Sequence, residues 1–208
     1  MAQPSVVHPG RRSSAEAAAT SERRAEIKAI ATDIFARKGF QGTTVREIAD
    51  AAGILSGSLY HHFDSKEAIV DEVLSELVNE LMADYRAIVD AGDEPVPTLC
   101  RLVRHQFRAL RRHRAAITTA NNDAHHLRRL PRLAYLDESE VAFAAIWTDV
   151  LRRGVADGSL RPDLDPDLLW TFIRGAVWGT VQLTWDDDTD SDELADAYLA
   201  TLLGGIVA

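Results

Sequence analysis

The chain has 208 residues, 46% hydrophobic and 26% charged, with a formal net charge of −9. That length suits one domain, or a small domain fused to a larger one, with core enough to need no staples. The single cysteine, Cys100, excludes an internal disulfide and a cysteine-rich zinc site. No apolar run approaches the roughly 20 residues of a membrane helix, and Met1 to Glu22 lack the apolar stretch of a secretory signal. The expected location is therefore the cytoplasm, with no membrane partner.

Charge is unevenly placed. Residues 1–68 carry nine Lys/Arg against eight Asp/Glu, a net of +1, and the remainder carries −10. An acidic total argues against nucleic acid, but a near-neutral head on an acidic body removes that objection.

Residues 1–22 are rich in Ala, Ser, Pro and Arg and nearly free of large apolar residues, so they are expected to be a disordered arm. Ile27, Ile30, Ala31, Ile34 and Phe35 then fall on one helical face, which Gly39 closes. Thr44-Val45-Arg46-Glu47 reads as a capping box opening a second helix, with Val45, Ile48, Ala49 and Ala52 as its buried face and Gly53 as its end. A short helix fits Ser56 to Phe63, and Asp64 or Ser65 caps a long one that runs to about Val89. Further helices are expected over Thr98–His113, Ala115–Arg129, Leu133–Asp157, Asp165–Trp185 and Ser191–Ile206. Breaks fall at Pro131, at Gly158 to Pro162 and at the acidic run Asp186 to Asp190. No segment alternates with period two. The expected fold is all-α with about nine helices: an arm (1–22), a three-helix head (23–68) and a helical body (69–208) for ligand binding and dimerisation.

Residues 44–63 carry the strongest functional signal. A helix-turn-helix needs a small residue at the turn, which Gly53 supplies, and Ala49 and Ala52 leave room for close crossing. Its second helix must present short donors to a major groove. Ser56, Gly57, Ser58, Tyr60 and His61 are placed outward for this, with Leu59 and Phe63 inward. An ordinary pair of packed helices would share that spacing.

These residues resemble a known family. Thr43 to Ala49, then Ala52-Gly53-Ile54, Ser58 to Phe63 and Ser65-Lys66-Glu67 are similar to the signature of TetR-family transcriptional regulators. The resemblance implies that the helix from about Ser56 to Phe63 reads bases. It also implies that Thr44, Tyr60, His62 and Lys66 hold phosphates or groove edges. The implied DNA-contacting set is Thr44, Ser56, Gly57, Ser58, Tyr60, His61, His62 and Lys66.

In the body, Asp165–Trp185 is apolar nearly all round, which predicts burial on more than one side. Gly175 and Gly179 permit close helix contact. Arg174 interrupts this helix, and a buried guanidinium needs an anionic partner. Trp178 lies one turn on and offers a flat apolar surface. Arg174 can therefore serve a ligand, or a structural ion pair with a carboxylate of the acidic body. The stretch from Pro131 through Trp178 resembles TetR regulators of actinobacterial steroid-ring catabolism, which respond to coenzyme A thioesters. The resemblance rests on Trp147 to Leu151, Arg161 to Asp165, and Phe172-Ile173-Arg174 with Trp178, and also on Ile54 to Phe63. It implies that Arg174 and Trp178 contact the ligand. The chain departs from that subgroup at Ala120-Asn121-Asn122-Asp123.

Other candidates carry less chemistry. Asp123, His125 and His126 suggest a metal site, but adjacent histidines on a helix diverge by about 100°, which favours solvated polar residues. Cys100 sits on an apolar stripe and reads as core. Arg101, Arg104, Arg108, Arg111, Arg112 and Arg114 form a basic run that fits a solvated face or a receiver of phosphates. No G-x-S-x-G, H-E-x-x-H or P-loop occurs. The expected protein is a homodimeric, ligand-responsive repressor with no metal or other cofactor and no catalytic residue. It would be released from a pseudo-palindromic DNA operator by an acyl-CoA effector. The alternatives are a TetR-type regulator of another apolar or anionic ligand, or an all-α enzyme with a pocket around Arg174.

Overall fold

Helix α1 (Gly10–Lys38) is the first element in the computed structural model, which describes residues 10–181 and 190–207. It begins well inside the segment expected to be a disordered arm to residue 22. The reason lies in Glu16 and Ala17 to Ala19, strong helix formers whose intrinsic propensity favours continuing the turn. Only residues 1–9 of that arm lie outside the described residues. Ile27, Ala31, Ile34 and Phe35 form the buried face of α1.

Helix α2 (Val45–Ala51) starts at the expected capping box. The Glu47 N–H donates to the Thr44 hydroxyl at 3.2 Å, and the Thr44 N–H donates to Glu47 Oε2 at 2.9 Å. Gly53, with φ of +66°, takes the left-handed turn that an L side chain resists. Its N–H donates to Asp50 O, and the Ile54 N–H to Ala49 O at 3.0 Å. Helix α3 (Ser56–Leu59) is shorter than the expected Ser56–Phe63 segment. Its last residues continue as a turn in which the His62 and Phe63 N–H groups donate to Leu59 O. The Ser65 hydroxyl then accepts from the Ala68 N–H at the start of α4 (Lys66–Asp90).

The chain divides into two compact units, residues 1–73 and 74–208, with the division inside α4. The second unit continues with α5 (Pro95–Arg112), α6 (Arg114–Asn122), α7 (Ala124–Leu127), a 3₁₀ turn (Pro131–Leu133), α8 (Tyr135–Ala156), α9 (Pro166–Val181) and α10 (Ser191–Ile206). Ten α-helices and no strand occur among the described residues. The single helix expected over Ala115–Arg129 is broken at Asp123, whose φ of −104° and ψ of 12° leave the helical region, into α6 and α7. Leu183, Trp185 and most of the acidic run expected near them lie outside the described residues.

Helix α5 is the spine of the second unit. Leu99, Leu102, Val103 and Phe107 are fully buried, and α10, α8, α9 and α6 pack against it. Four arginines of the expected basic run find carboxylates. Arg101 pairs with Asp93, Arg104 with Asp196 (2.8 Å), Arg108 with Asp192 (2.7 Å) and Arg112 with Glu80 (3.0 Å). Exposed pairs of this kind add little stability each, and those of Arg104 and Arg108 join α5 to α10. Gly154 marks a close approach: a Cβ there would lie 2.8 Å from the Leu160 side chain. The Leu160 N–H donates to Gly154 O, and the Arg161 N–H to Ile206 O, which ties the turn after α8 to the end of α10.

Candidate nucleic-acid interface and ligand cavity

The outward face of the first unit is small and polar except at two positions. Leu59 and Phe63 are buried, as expected, and they anchor the segment between them. Gly57, Tyr60 and His61 are exposed, while Ser56, Ser58 and His62 are half-buried. Tyr60 is 53% exposed, and Gly57 has nothing within 4 Å of the place a Cβ would take. His62 departs from a simple outward reading, because its Nδ1 is buried with no hydrogen-bond partner. Leu55, an apolar residue outside the expected set of polar donors, is 79% exposed. It occupies the N-cap of α3 and makes no side-chain capping bond, although a hydroxyl there would stabilise the helix.

Thr44 and Lys66 have structural partners of their own. The Thr44 hydroxyl caps α2 and lies 3.1 Å from Glu47 Oε2. Lys38 and Thr44 hold the Glu47 carboxyl down at about 2. The Lys66 ammonium donates to Phe40 O (2.7 Å) and Thr43 O (2.8 Å) and sits 4.3 Å from the Phe40 ring centre. It thereby clamps the turn that leads into the capping box. On the opposite side, the Arg24 guanidinium stacks 3.9 Å over Phe63 and pairs with Glu72, and Arg23 donates to Ala52 O at the end of α2. These contacts hold α2, the Gly53 turn and α3 as one rigid piece.

The second unit encloses a cavity of about 560 Å³, inside the roughly 300–1,000 Å³ range of small-molecule sites. Its floor is aromatic. Trp147 is fully buried, edge-on to Tyr85 (5.8 Å between centroids) and beside Trp170 (5.0 Å). Burial pushes the Tyr85 phenol far above its ordinary pKa, so the floor stays neutral. Arg174 and Trp178 both line this cavity, as does the departing stretch at Ala120 and Asn121.

The expectation that Arg174 is buried does not hold. Its side chain is 43% exposed, and α9 buries one face only, through Leu169, Ile173 and Val177. The opposite face leaves Leu168 (51%) and Phe172 (62%) open, alongside exposed Gly175, Ala176 and Gly179. Arg174 pairs with Glu140 of α8, and Glu140 also pairs with Arg128 at the end of α7. The ion pair and the cavity, two separate readings from sequence, thus coincide in one place. Arg128 and Glu140 line the cavity and were not singled out from sequence. Among the described residues no group of His, Cys, Asp and Glu is placed to hold a metal, Asp123, His125 and His126 included. No helix among them is long and apolar enough to cross a membrane.

A helix-turn-helix joined to a helical body with a lined cavity defines a class of regulator rather than of enzyme. Comparison with known proteins agrees. Residues 27–73 match the family described as bacterial regulatory proteins, tetR family, and residues 95–202 match the tetracyclin repressor-like C-terminal domain. The chain is 41% identical over 189 residues to the HTH-type transcriptional repressor KstR2 of Mycobacterium tuberculosis, covering 89% of this chain and 94% of that protein. It is 42% identical over 191 residues to KstR2 of Rhodococcus jostii RHA1, covering 90% and 93%. The solved structure of the ketosteroid transcriptional regulator KstR2 of M. tuberculosis superposes with a TM-score of 0.86 over 89% of this chain and 95% of that one. The chain belongs to the TetR family of transcriptional regulators, whose members are not enzymes, which removes the reading of Arg174 as a catalytic group.

Proposed function

We propose that this protein is a cytoplasmic, homodimeric repressor that binds a pseudo-palindromic DNA operator and is released by an acyl-CoA thioester of steroid catabolism. The observation that carries the effector reading is the cavity, which places the cationic Arg174 and the flat Trp178 beside a neutral aromatic floor. A thioester of this class joins phosphates to an apolar acyl group, so it needs cationic donors beside apolar walls. The likeness to repressors named KstR2 favours a steroid-derived acyl group.

Ser56, Gly57, Ser58, Tyr60 and His61 read bases in this proposal, and Thr44, His62 and Lys66 hold the backbone or the helices that do so. The open apolar face of α9, from Leu168 through Phe172 to Gly179, is the dimer surface. Two-fold symmetry then matches the operator. The effector acts by binding the DNA-free arrangement more tightly than the DNA-bound one. Fluorescence anisotropy with a labelled operator tests this. Steroid-ring CoA thioesters are expected to release the DNA, with fatty acyl-CoA and free acids weaker. Failure of every thioester rejects the effector, failure to bind any duplex rejects the regulator reading, and a monomer in sedimentation at micromolar concentration rejects the dimer.

A further inference from the structure

The cavity wall holds a carboxylate that the ligand reading leaves unexplained. Glu140, on the first turns of α8, sends one oxygen to Arg174 of α9 and the other to Arg128 at the end of α7. Arg128 reaches Asp137 as well, at 3.1 Å. Glu140, Arg128 and Arg174 all line the cavity, and the Glu140 side chain is 29% exposed. The cation that an anionic ligand needs is therefore already neutralised from within.

Charge decides what must happen when such a ligand enters. Glu140 is the one carboxylate that lines the cavity with Arg128 and Arg174, and Asp137, 60% exposed and outside the lining, also draws on Arg128. The two guanidiniums repel each other, and partial burial, with Arg128 as a smaller contribution, lowers the Arg174 pKa. They require an anion between them. A second anion on the same guanidiniums would lie against the Glu140 carboxylate, and two like charges so close at a partly desolvated place repel more strongly than at the surface. Rotation of Glu140 into water removes that repulsion, because the side chain already has access to solvent.

We propose that Glu140 is a resident counter-ion that occupies the anion subsite of the cavity and is exchanged for an anionic group of the ligand, a phosphate of a thioester or the carboxylate of a free acid. The proposal rests on the ligand reading above and adds its means of regulation. The exchange breaks the ion pairs joining the start of α8 to α7 and α9, so ligand charge itself loosens this corner of the second unit. Neutral ligands of the same shape fill the cavity without breaking them.

The test is calorimetric titration of the full-length protein and of Glu140→Gln with three probes: cholate, its methyl ester and its CoA thioester. Free coenzyme A serves as a fourth probe. The amide keeps the size of the carboxylate but no longer competes as an anion. Glu140→Gln is expected to bind the matching anion about five-fold more tightly and the methyl ester unchanged. Tightening for cholate alone assigns the subsite to a carboxylate, and tightening for the thioester and coenzyme A assigns it to a phosphate. Unchanged or weakened binding of all three anionic probes overturns the exchange, and so does equal tightening of the methyl ester. If the unmodified protein binds none of the probes, the steroid-acyl reading fails and the exchange falls with it. Glu140→Ala, checked for helicity by circular dichroism, gives the same reading should Glu140→Gln fail to fold.

Discussion

The two units of this chain treat their polar side chains in opposite ways. In the first unit, Arg23, Arg24, Thr44, Glu47 and Lys66 close onto backbone and neighbouring side chains within the same small bundle. What remains outward is Gly57 and His61, with the larger Leu55 and Tyr60. In the second unit the informative polar groups, Arg128, Glu140 and Arg174, meet across three helices at the edge of a hollow. A rigid frame suits a surface that must keep its register on a partner. A hollow whose wall is held by exchangeable charges suits a site that must change when filled.

The largest expected effect falls on the frame. Phe63→Ala removes the buried anchor of the α3 turn and the ring beneath Arg24, at a cost of about 3–5 kcal/mol. Chemical denaturation should show the loss, and DNA binding should fail before ligand binding does. Equal loss of both functions would contradict the separation drawn here. Lys66→Ala comes next. Its ammonium serves two carbonyls, so the expected stability loss is about 2 kcal/mol with binding weakened alike for all DNA sequences. If the dependence of log K on log salt also falls by about one, Lys66 touches a phosphate in addition to its clamp role.

Much of the first unit was legible in the sequence because its determinants are local. The Thr44–Glu47 box and the Gly53 turn lie within a few residues of what they touch, and the inward positions of Leu59 and Phe63 follow from spacing within one short segment. Helix α10 was read at its correct ends for the same reason. The cavity was legible only in part. Arg174 and Trp178 lie one turn apart on a single helix, so periodicity could pair them. Arg128 and Glu140 come from α7 and α8, and no spacing rule joins them to Arg174. The exposure of Arg174 was misjudged because apolar residues all round a helix signal burial without saying whether the cover comes from the same chain. Leu55 was missed because an apolar residue does not answer a search for donors.

Smaller effects sharpen the account of the frame. Thr44→Ala removes the cap of α2 and should cost about 1 kcal/mol in thermal or urea unfolding. The Glu47 carboxyl titrates at about 2 in the folded chain, below its ordinary value of 4.5. A depressed folded pKa means that the unfolded chain binds the proton first as pH falls. Its contribution is therefore complete above about pH 4.5 and is lost progressively as pH falls toward 2. Glu47→Gln should flatten the acid limb of the stability curve in that window, and an unchanged limb would place the acid sensitivity elsewhere.

Charge in the cavity is proposed to couple a ligand to release of DNA, and Arg174→Met tests that coupling most directly. The substitution keeps much of the apolar stem and removes the guanidinium. Operator affinity should match that of the unmodified protein, helicity should be preserved, and steroid acyl-CoA should no longer release the DNA. Release at an unchanged effector concentration would contradict the claim, as would loss of the folded chain with Arg174→Met, which would make the Arg174–Glu140 pair structural alone.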